Sequence, residues 1–369
     1  MPDFVRVGLV GAGVAAQAIH LPVLLRRPDL FRVAAVCDPS AAARDAVGER
    51  CGVRAADRHE RVEQLLEAGN VDALLVLSSG SHGAICLQAA AAGLAVFCEK
   101  PLAYTTAEAD ALAAVSARLA LGYMKVYDEA VRRAAELLAG RTARSVEVVV
   151  LHPSQDAQLS HLRMVRGADV PAERRAEIEA GGQRLLGDAL GEAGTDASEL
   201  YRWKLLGSIV HDLAVVRVLA GDPTGWDRVD AWPAGRLASV TLDGRIAAGG
   251  RLSIRWHYLE GYPLYRETVR VHDERGSVAI TFPSPYLPSP AATLEVVDQD
   301  ADRPRRWTAT PAASPFEEEL VAFHRLVTTG AATLAGIAEG RADIVSCQRA
   351  LRLYCSSNGL ALGGEALTA

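Results

Sequence analysis

The chain opens with an apolar strand that ends on a glycine turn and runs straight into a helix, VRVGLVGAGVAAQAIHLPVLLR at residues 5–26. Few arrangements accept that order. Gly11 allows the tight turn, and Gly13 puts no side chain in the way of an approaching phosphate. Ala16, at the third position, lets the helix pack closely on the strand. The N–H groups of Val14, Ala15 and Ala16, at the positive end of the helix dipole, then face an anion. The pattern predicts a site for the pyrophosphate of a dinucleotide.

The rest of the first third fits that start. Short apolar runs (FRVAAVCD, DALLVLSS, LAVFCEK, ALGYMK) alternate with alanine-rich helical stretches such as SAAARDAVGERCG and HGAICLQAAAAG. Strands that are apolar throughout are covered on both faces, which predicts a doubly wound parallel sheet, a Rossmann domain over 1–125. An α+β domain with a large, mainly antiparallel open sheet is expected over 126–369. Its first strand is SVEVVVLH. A polar stretch at 153–198 follows, with a helical pattern interrupted at Gly181 and Gly182. A helix at roughly 199–220 closes on Gly221. DRVDAW, ASVTLD, GRLSIRWHYL, YRETVRVHD and GSVAITF read as meandering strands, with turns at Asp243-Gly244 and around Asp273-Gly276. Helices are expected at about 315–328 and 338–356.

Composition narrows the partners. The net charge of −6 leaves no basic footprint for nucleic acid. No apolar run approaches the roughly 20 residues that span a bilayer. Asp3 and Arg6 sit in what reads as the first strand, leaving no signal-peptide pattern, so a cytoplasmic protein is expected. Cys37, Cys51, Cys86, Cys98, Cys347 and Cys355 are scattered without metal-ligand spacing, so no metal is predicted.

Asp38 ends the second apolar run. A carboxylate there accepts hydrogen bonds from the adenosine ribose and opposes a 2′-phosphate, although Ser40 and Arg44 stand near enough to pair one. The reading is NAD rather than NADP. Ser78-Ser79-Gly80-Ser81-His82 follows the fourth run, at the ligand-binding edge of such a sheet. Ser81 has a second reading, as the cap of the next helix.

Three further segments, Glu99-Lys100-Pro101, GYMKVYDEAV at 122–131 and GSIVHDLAVVRVLAG at 207–221, complete a resemblance to the Gfo/Idh/MocA (glucose–fructose oxidoreductase/inositol dehydrogenase) family. The resemblance implies an oxidoreductase that moves hydride between a nicotinamide and a secondary hydroxyl or ketone of a sugar, cyclitol or glycoside. It implies cofactor contacts from Ser78, Ser79, His82, Glu99 and Lys100. Lys100 then polarises the substrate oxygen, and His211 acts as general acid/base. Relatives carry an aspartate four residues before this histidine; here Gly207 stands there. Asp212 replaces it poorly, lying about 100° around the helix, and Ser208 is no carboxylate. Lys125 reads equally as a substrate contact or as a charge ending a strand. Tyr127, His152 and Asp212 are further substrate candidates. The 153–198 stretch, with Asp156, His161, Arg163, Asp169 and Asp196, reads as a lid, a subunit contact or a solvated face.

The resemblance also implies a homodimer or homotetramer paired through the second sheet, which would otherwise expose apolar surface. Two rival functions stay open. One is an enzyme that keeps its NAD and uses transient oxidation to drive elimination. The other is a dinucleotide-sensing regulator without catalysis.

Overall fold

The computed structural model describes residues 4–247, 249–287, 291–300 and 303–369. Asp3 lies outside them. The chain folds as two compact units. One is Met1–Gly122 with Leu162–Leu186 and Glu319–Arg341; the other is Tyr123–His161 with Gly187–Glu318 and Ala342–Ala369. The first unit thus gathers two segments from beyond residue 125, a division that sequence order alone does not give.

In the first unit, β1 (Val5–Val10), β2 (Phe31–Cys37), β3 (Arg58–His59), β4 (Ala73–Val76), β5 (Ala95–Cys98) and β6 (Leu119–Leu121) form a parallel sheet of order β3-β2-β1-β4-β5-β6. Every residue of β4 and β5 is buried, which is why those runs are apolar on both faces. The strand order reverses between β1 and β4, so ligands are expected at the carboxyl ends of these strands. The helices are α1 (Leu21–Arg26), α2 (Ala41–Cys51), α3 (Val62–Ala68), α4 (Gly83–Ala91) and α5 (Thr106–Ala114). Six residues of π-helix, Ala15–His20, run directly into α1. The expected strand ALGYMK is shorter than its apolar run: it stops at Leu121, and Met124–Tyr127 form a 3-10 turn.

The chain continues through α6 (Glu129–Leu138), β7 (Ser145–His152), α7 (Gln155–Leu159), α8 (Ala172–Leu190) and α9 (Thr195–Glu199). A π-helical stretch, Leu200–Ile209, then leads into α10 (Val210–Ala220). β8 (Pro223–Trp232), β9 (Ser239–Ile246), β10 (Arg251–Tyr258), β11 (Arg266–Asp273), β12 (Gly276–Phe282), β13 (Thr293–Asp300) and β14 (Arg303–Ala309) follow, then α11 (Pro315–Thr329) and α12 (Ile337–Asn358).

β7 to β14 form one sheet of order β14-β13-β12-β11-β7-β10-β9-β8, antiparallel except where β7 pairs β10. Its alternation is clean: Val146, Val148 and Val150 are buried, and Glu147 and Val149 are exposed. Val269, Val271, Leu252, Ile254 and Trp256 extend the inner face, and α10 packs on β7, β8 and β11.

Three expectations are corrected. Gly181 and Gly182 do not interrupt α8, because their helix cost is small against 19 continuous residues. Asp243-Gly244 is no turn but lies inside β9, where an added Cβ on Gly244 would press on the Trp226 ring. The outer face of the sheet carries Glu147, Arg255, Arg266 and Arg270 and is not a continuous apolar patch.

Candidate functional site

The glycine turn of the first unit is built by two different constraints. Gly11 adopts φ +99°, and a Cβ on it would lie 2.5 Å from the Ser78 backbone nitrogen. That glycine is required by the protein itself, since the end of β1 touches the end of β4. Gly13 is exposed, and a Cβ there would meet nothing within 4 Å. Packing against the protein does not require a glycine there. No side chain caps the helix that follows among the described residues, so its first N–H groups are left for an anion. Ala16 is fully buried, as its packing role requires; Val14 and Ala15 are half-buried beside it. The buried Ser78 hydroxyl, next to Gly11, has no hydrogen-bond partner among the described residues. A cradle that no protein atom fills and an orphaned hydroxyl at one strand edge fit a bound pyrophosphate.

Asp38 braces this turn. Its Oδ2 accepts the Ala12 N–H at 2.7 Å and its Oδ1 the Ser40 N–H at 2.8 Å. Each oxygen keeps a lone-pair site for a ribose hydroxyl. Arg44 donates from Nη1 to the Asp38 carbonyl at 2.6 Å. Residues 165–169 of the polar stretch lie along this corner. The Gln17 amide donates to the Ala12 and Val165 carbonyls at 2.7 and 2.8 Å and accepts the Val165 N–H at 3.0 Å. Asp169 accepts the Ser40 hydroxyl and, at 2.9 Å, the Ala42 N–H.

At the end of β5, Glu99 accepts the Lys100 N–H at 3.1 Å and pairs with His20 Nε2 at 2.7 Å. Burial pushes the Glu99 carboxyl up, but His20 and Lys100 outweigh it and hold it below its ordinary range. Glu319, also buried, faces Glu99; burial and that neighbour push its carboxyl well up. Lys100 is half-buried. His82 is 1% exposed, and its ring nitrogens face the carbonyls of Pro101 and Ser78 at 2.6 and 2.7 Å. It ties the loop after β4 to the Lys100-Pro101 segment. Ser79 is exposed. Ser81 is not a helix cap: its hydroxyl donates to Glu108 at 2.6 Å and accepts the Tyr104 N–H at 3.2 Å.

The second unit holds a separate polar cluster on the inner face of its sheet. Lys125 pairs with Glu267, and the Tyr265 hydroxyl donates to the same Glu267 oxygen at 2.6 Å. Lys125 is thus a buried ion-pair partner and not a charge ending a strand. Asp212, 1% exposed, faces this pair. Burial and the neighbouring Glu267 push its carboxyl well above the usual range. His152 sits between Trp256, at a ring distance of 4.9 Å, and Tyr265, at 5.4 Å. His211 is half-buried, with its ring 6.0 Å from that of Tyr123. Tyr127 is buried in the 3-10 turn.

Gly207 lies in tight surroundings. It lies in the π-helical stretch, where a Cβ would come 3.0 Å from the Arg202 carbonyl, five residues back. Lys204 in the same stretch has no local signal of its own in the sequence. It is 5% exposed, with Nζ 4.1 Å above the Trp256 ring and 4.7 Å above Tyr258, and burial pushes it down to about 8. Glu267 and Tyr265 were not among the expected site residues either. Their signal is present in YRETVRVHD, where Tyr265 and Glu267 share the inward face with Val269 and Val271. Among the described residues, no group of His, Cys, Asp or Glu is placed to hold a metal.

Residues 5–124 match the family model described as "Oxidoreductase family, NAD-binding Rossmann fold". The rhizopine catabolism protein MocA of Rhizobium meliloti is 36% identical over 125 residues, 32% of this chain and 38% of its own length. The chain therefore spans well under two thirds of that relative. An inositol 2-dehydrogenase from Acidothermus cellulolyticus is 29% identical over 331 residues, 88% of this chain and 85% of its own length. A 3-ketoreductase from Actinomadura kijaniata, solved with TDP-benzene and NADP, superposes with a TM-score of 0.68 at 17% identity, covering 94% of this chain and 96% of that one. That last likeness is one of fold.

Proposed function

Because the chain belongs to the Gfo/Idh/MocA oxidoreductase family, we propose that it is an NAD-dependent dehydrogenase. Its substrate is a sugar, cyclitol or glycoside, oxidised at a secondary hydroxyl or reduced as the matching ketone. The observation that carries this reading is the cradle at Gly13, open where the protein has no packing use for a glycine. The relatives support the substrate class by their names, inositol 2-dehydrogenase above all.

Asp38 supports NAD. A carboxylate already fixed by two backbone N–H groups offers further acceptor sites to ribose hydroxyls and repels a phosphate. When bound, the nicotinamide takes up or gives back the hydride. Lys100 donates to the reacting oxygen, and His211 takes the hydroxyl proton as the carbonyl forms. His82, Ser78, Ser79 and Glu99 shape the cofactor side. Lys125, Tyr127, His152 and Asp212 belong to the substrate side. The buried Lys125–Glu267 ion pair lies beside Asp212, which suits a polyhydroxylated ligand.

The test is NADH formation across a panel of inositols, sugars and glycosides. Turnover by His211→Ala is expected to fall at least about tenfold; an unchanged rate removes His211 from the acid/base role. One observation favours a second reading. Residues 165–169 are pinned along the turn by Gln17 and Asp169, as suits an enzyme that retains its NAD and couples transient oxidation to elimination. Product would then form without net NADH.

A further inference from the structure

We propose that Asp169 is the residue that excludes the phosphorylated dinucleotide: its carboxylate occupies the place at the start of α2 that a ribose 2′-phosphate would take. This rests on the dinucleotide reading above and adds a residue to it.

Donor groups decide the matter. A 2′-phosphate at the end of β2 is ordinarily held by a hydroxyl, by helix N-terminal N–H groups and by a guanidinium. All three kinds are present here, in Ser40, the first turn of α2, and Arg44. Nearly all are already engaged. The Ser40 hydroxyl and the Ala42 N–H both go to Asp169. The Ala43 N–H goes to Ser40 Oγ at 3.0 Å, and the Ser40 N–H to Asp38 Oδ1 at 2.8 Å. Arg44 is drawn to the Asp38 carbonyl, which leaves its Nε without a partner among the described residues.

The competing anion comes from 129 residues away in sequence. Its delivery is built into the fold. Gln17 holds Val165 by both amide groups. Gly167 passes so close that a Cβ on it would lie 2.9 Å from Ser40 Cβ. The Ser40 and Ala42 bonds also hold the Asp169 carboxyl below its ordinary range, so the charge persists at neutral pH. A 2′-phosphate arriving here meets two carboxylates, Asp38 and Asp169, and no free hydroxyl. NAD brings a neutral 2′-hydroxyl and meets no such conflict. Asp169 is exposed, so its repulsion is screened by salt and the effect is largest at low ionic strength.

The experiment is a fluorescence titration of the full chain with NADH and with NADPH at low salt, for wild type, Asp169→Ala and Asp169→Asn. Wild type is expected to bind NADH more tightly. Both variants are expected to gain at least about tenfold in NADPH affinity while NADH changes less than about threefold. Asp169→Asn keeps the size and removes the charge, so it separates repulsion from packing; matching melting temperatures show that the variants fold. An unchanged NADPH-to-NADH ratio in both variants overturns the proposal. So does a loss of NADH binding without a gain for NADPH, which would make Asp169 a ribose contact. A wild type that prefers NADPH overturns it as well. If wild type binds neither dinucleotide, the underlying reading fails, and the proposal with it.

Discussion

Lys204 is the residue whose chemistry departs furthest from its sequence context. In LYRWKLLGSIV a single lysine looks like a surface charge. The fold buries it over two aromatic rings, and its ammonium makes no ion pair among the described residues. Burial, and then the nearby Arg236, lower it from 10.5 to about 8. The sign follows directly. Between those two values the unfolded chain keeps the proton that the folded chain has lost, so stability rises with pH across that window. The rise from this group is on the order of 2–3 kcal/mol. Urea unfolding at a series of pH values checks it: Lys204→Met should be more stable than wild type at pH 7 and should flatten the rise. A variant with the wild-type pH slope would show that the lysine is solvated. At this scale the glycine turn and Asp38 were legible, because local backbone geometry demands them. Glu267 was legible only as a broken alternation. Asp169 was not, since nothing local links it to Ser40.

At the scale of elements, the strands of the parallel sheet could be read from their apolar runs, because both faces are covered. Most of the second sheet was legible by alternation along β7 and β11. β13 and β14 were not: the RPRRWTA segment is mostly exposed and has no apolar face to betray it. The π-helical turn before α10 is likewise invisible to a 3.6-residue period. The departure at Gly207 lies within it. A Cβ there would lie 3.0 Å from the Arg202 carbonyl, a contact that needs a shift of a few tenths of an ångström. The carboxyl of Asp212 lies under the influence of Glu267 and Lys125 instead. Helix boundaries at Ser40 and Gly52 followed their cap chemistry, hydroxyl at one end and left-handed glycine at the other.

At the scale of the molecule, the expectation of a subunit contact rested on the family resemblance and on an apolar sheet face. The outer face is instead mixed. Val149 is 39% exposed beside Glu147, Thr268, Arg266 and Arg270, which line one shallow depression. We propose that copies of the chain pair through this face by charge matching as much as by apolar burial. Light scattering should then give two or four times 39.1 kDa, with dissociation favoured by Arg266→Glu with Arg270→Glu. A wild-type monomer at all concentrations would refute the pairing.

On the proposed reading, the open glycine position belongs to a dinucleotide. Gly11 cannot test it cleanly, since the protein needs that residue for its own turn. Gly13 can, because a Cβ there would meet no protein atom within 4 Å. The decisive measurement is the dissociation constant of NADH for wild type and for Gly13→Val, with the melting temperature of each. Wild type is expected to bind saturably and the variant at least about tenfold more weakly, at an unchanged melting temperature. Equal affinity for the two proteins, or no saturable binding by wild type, would contradict it.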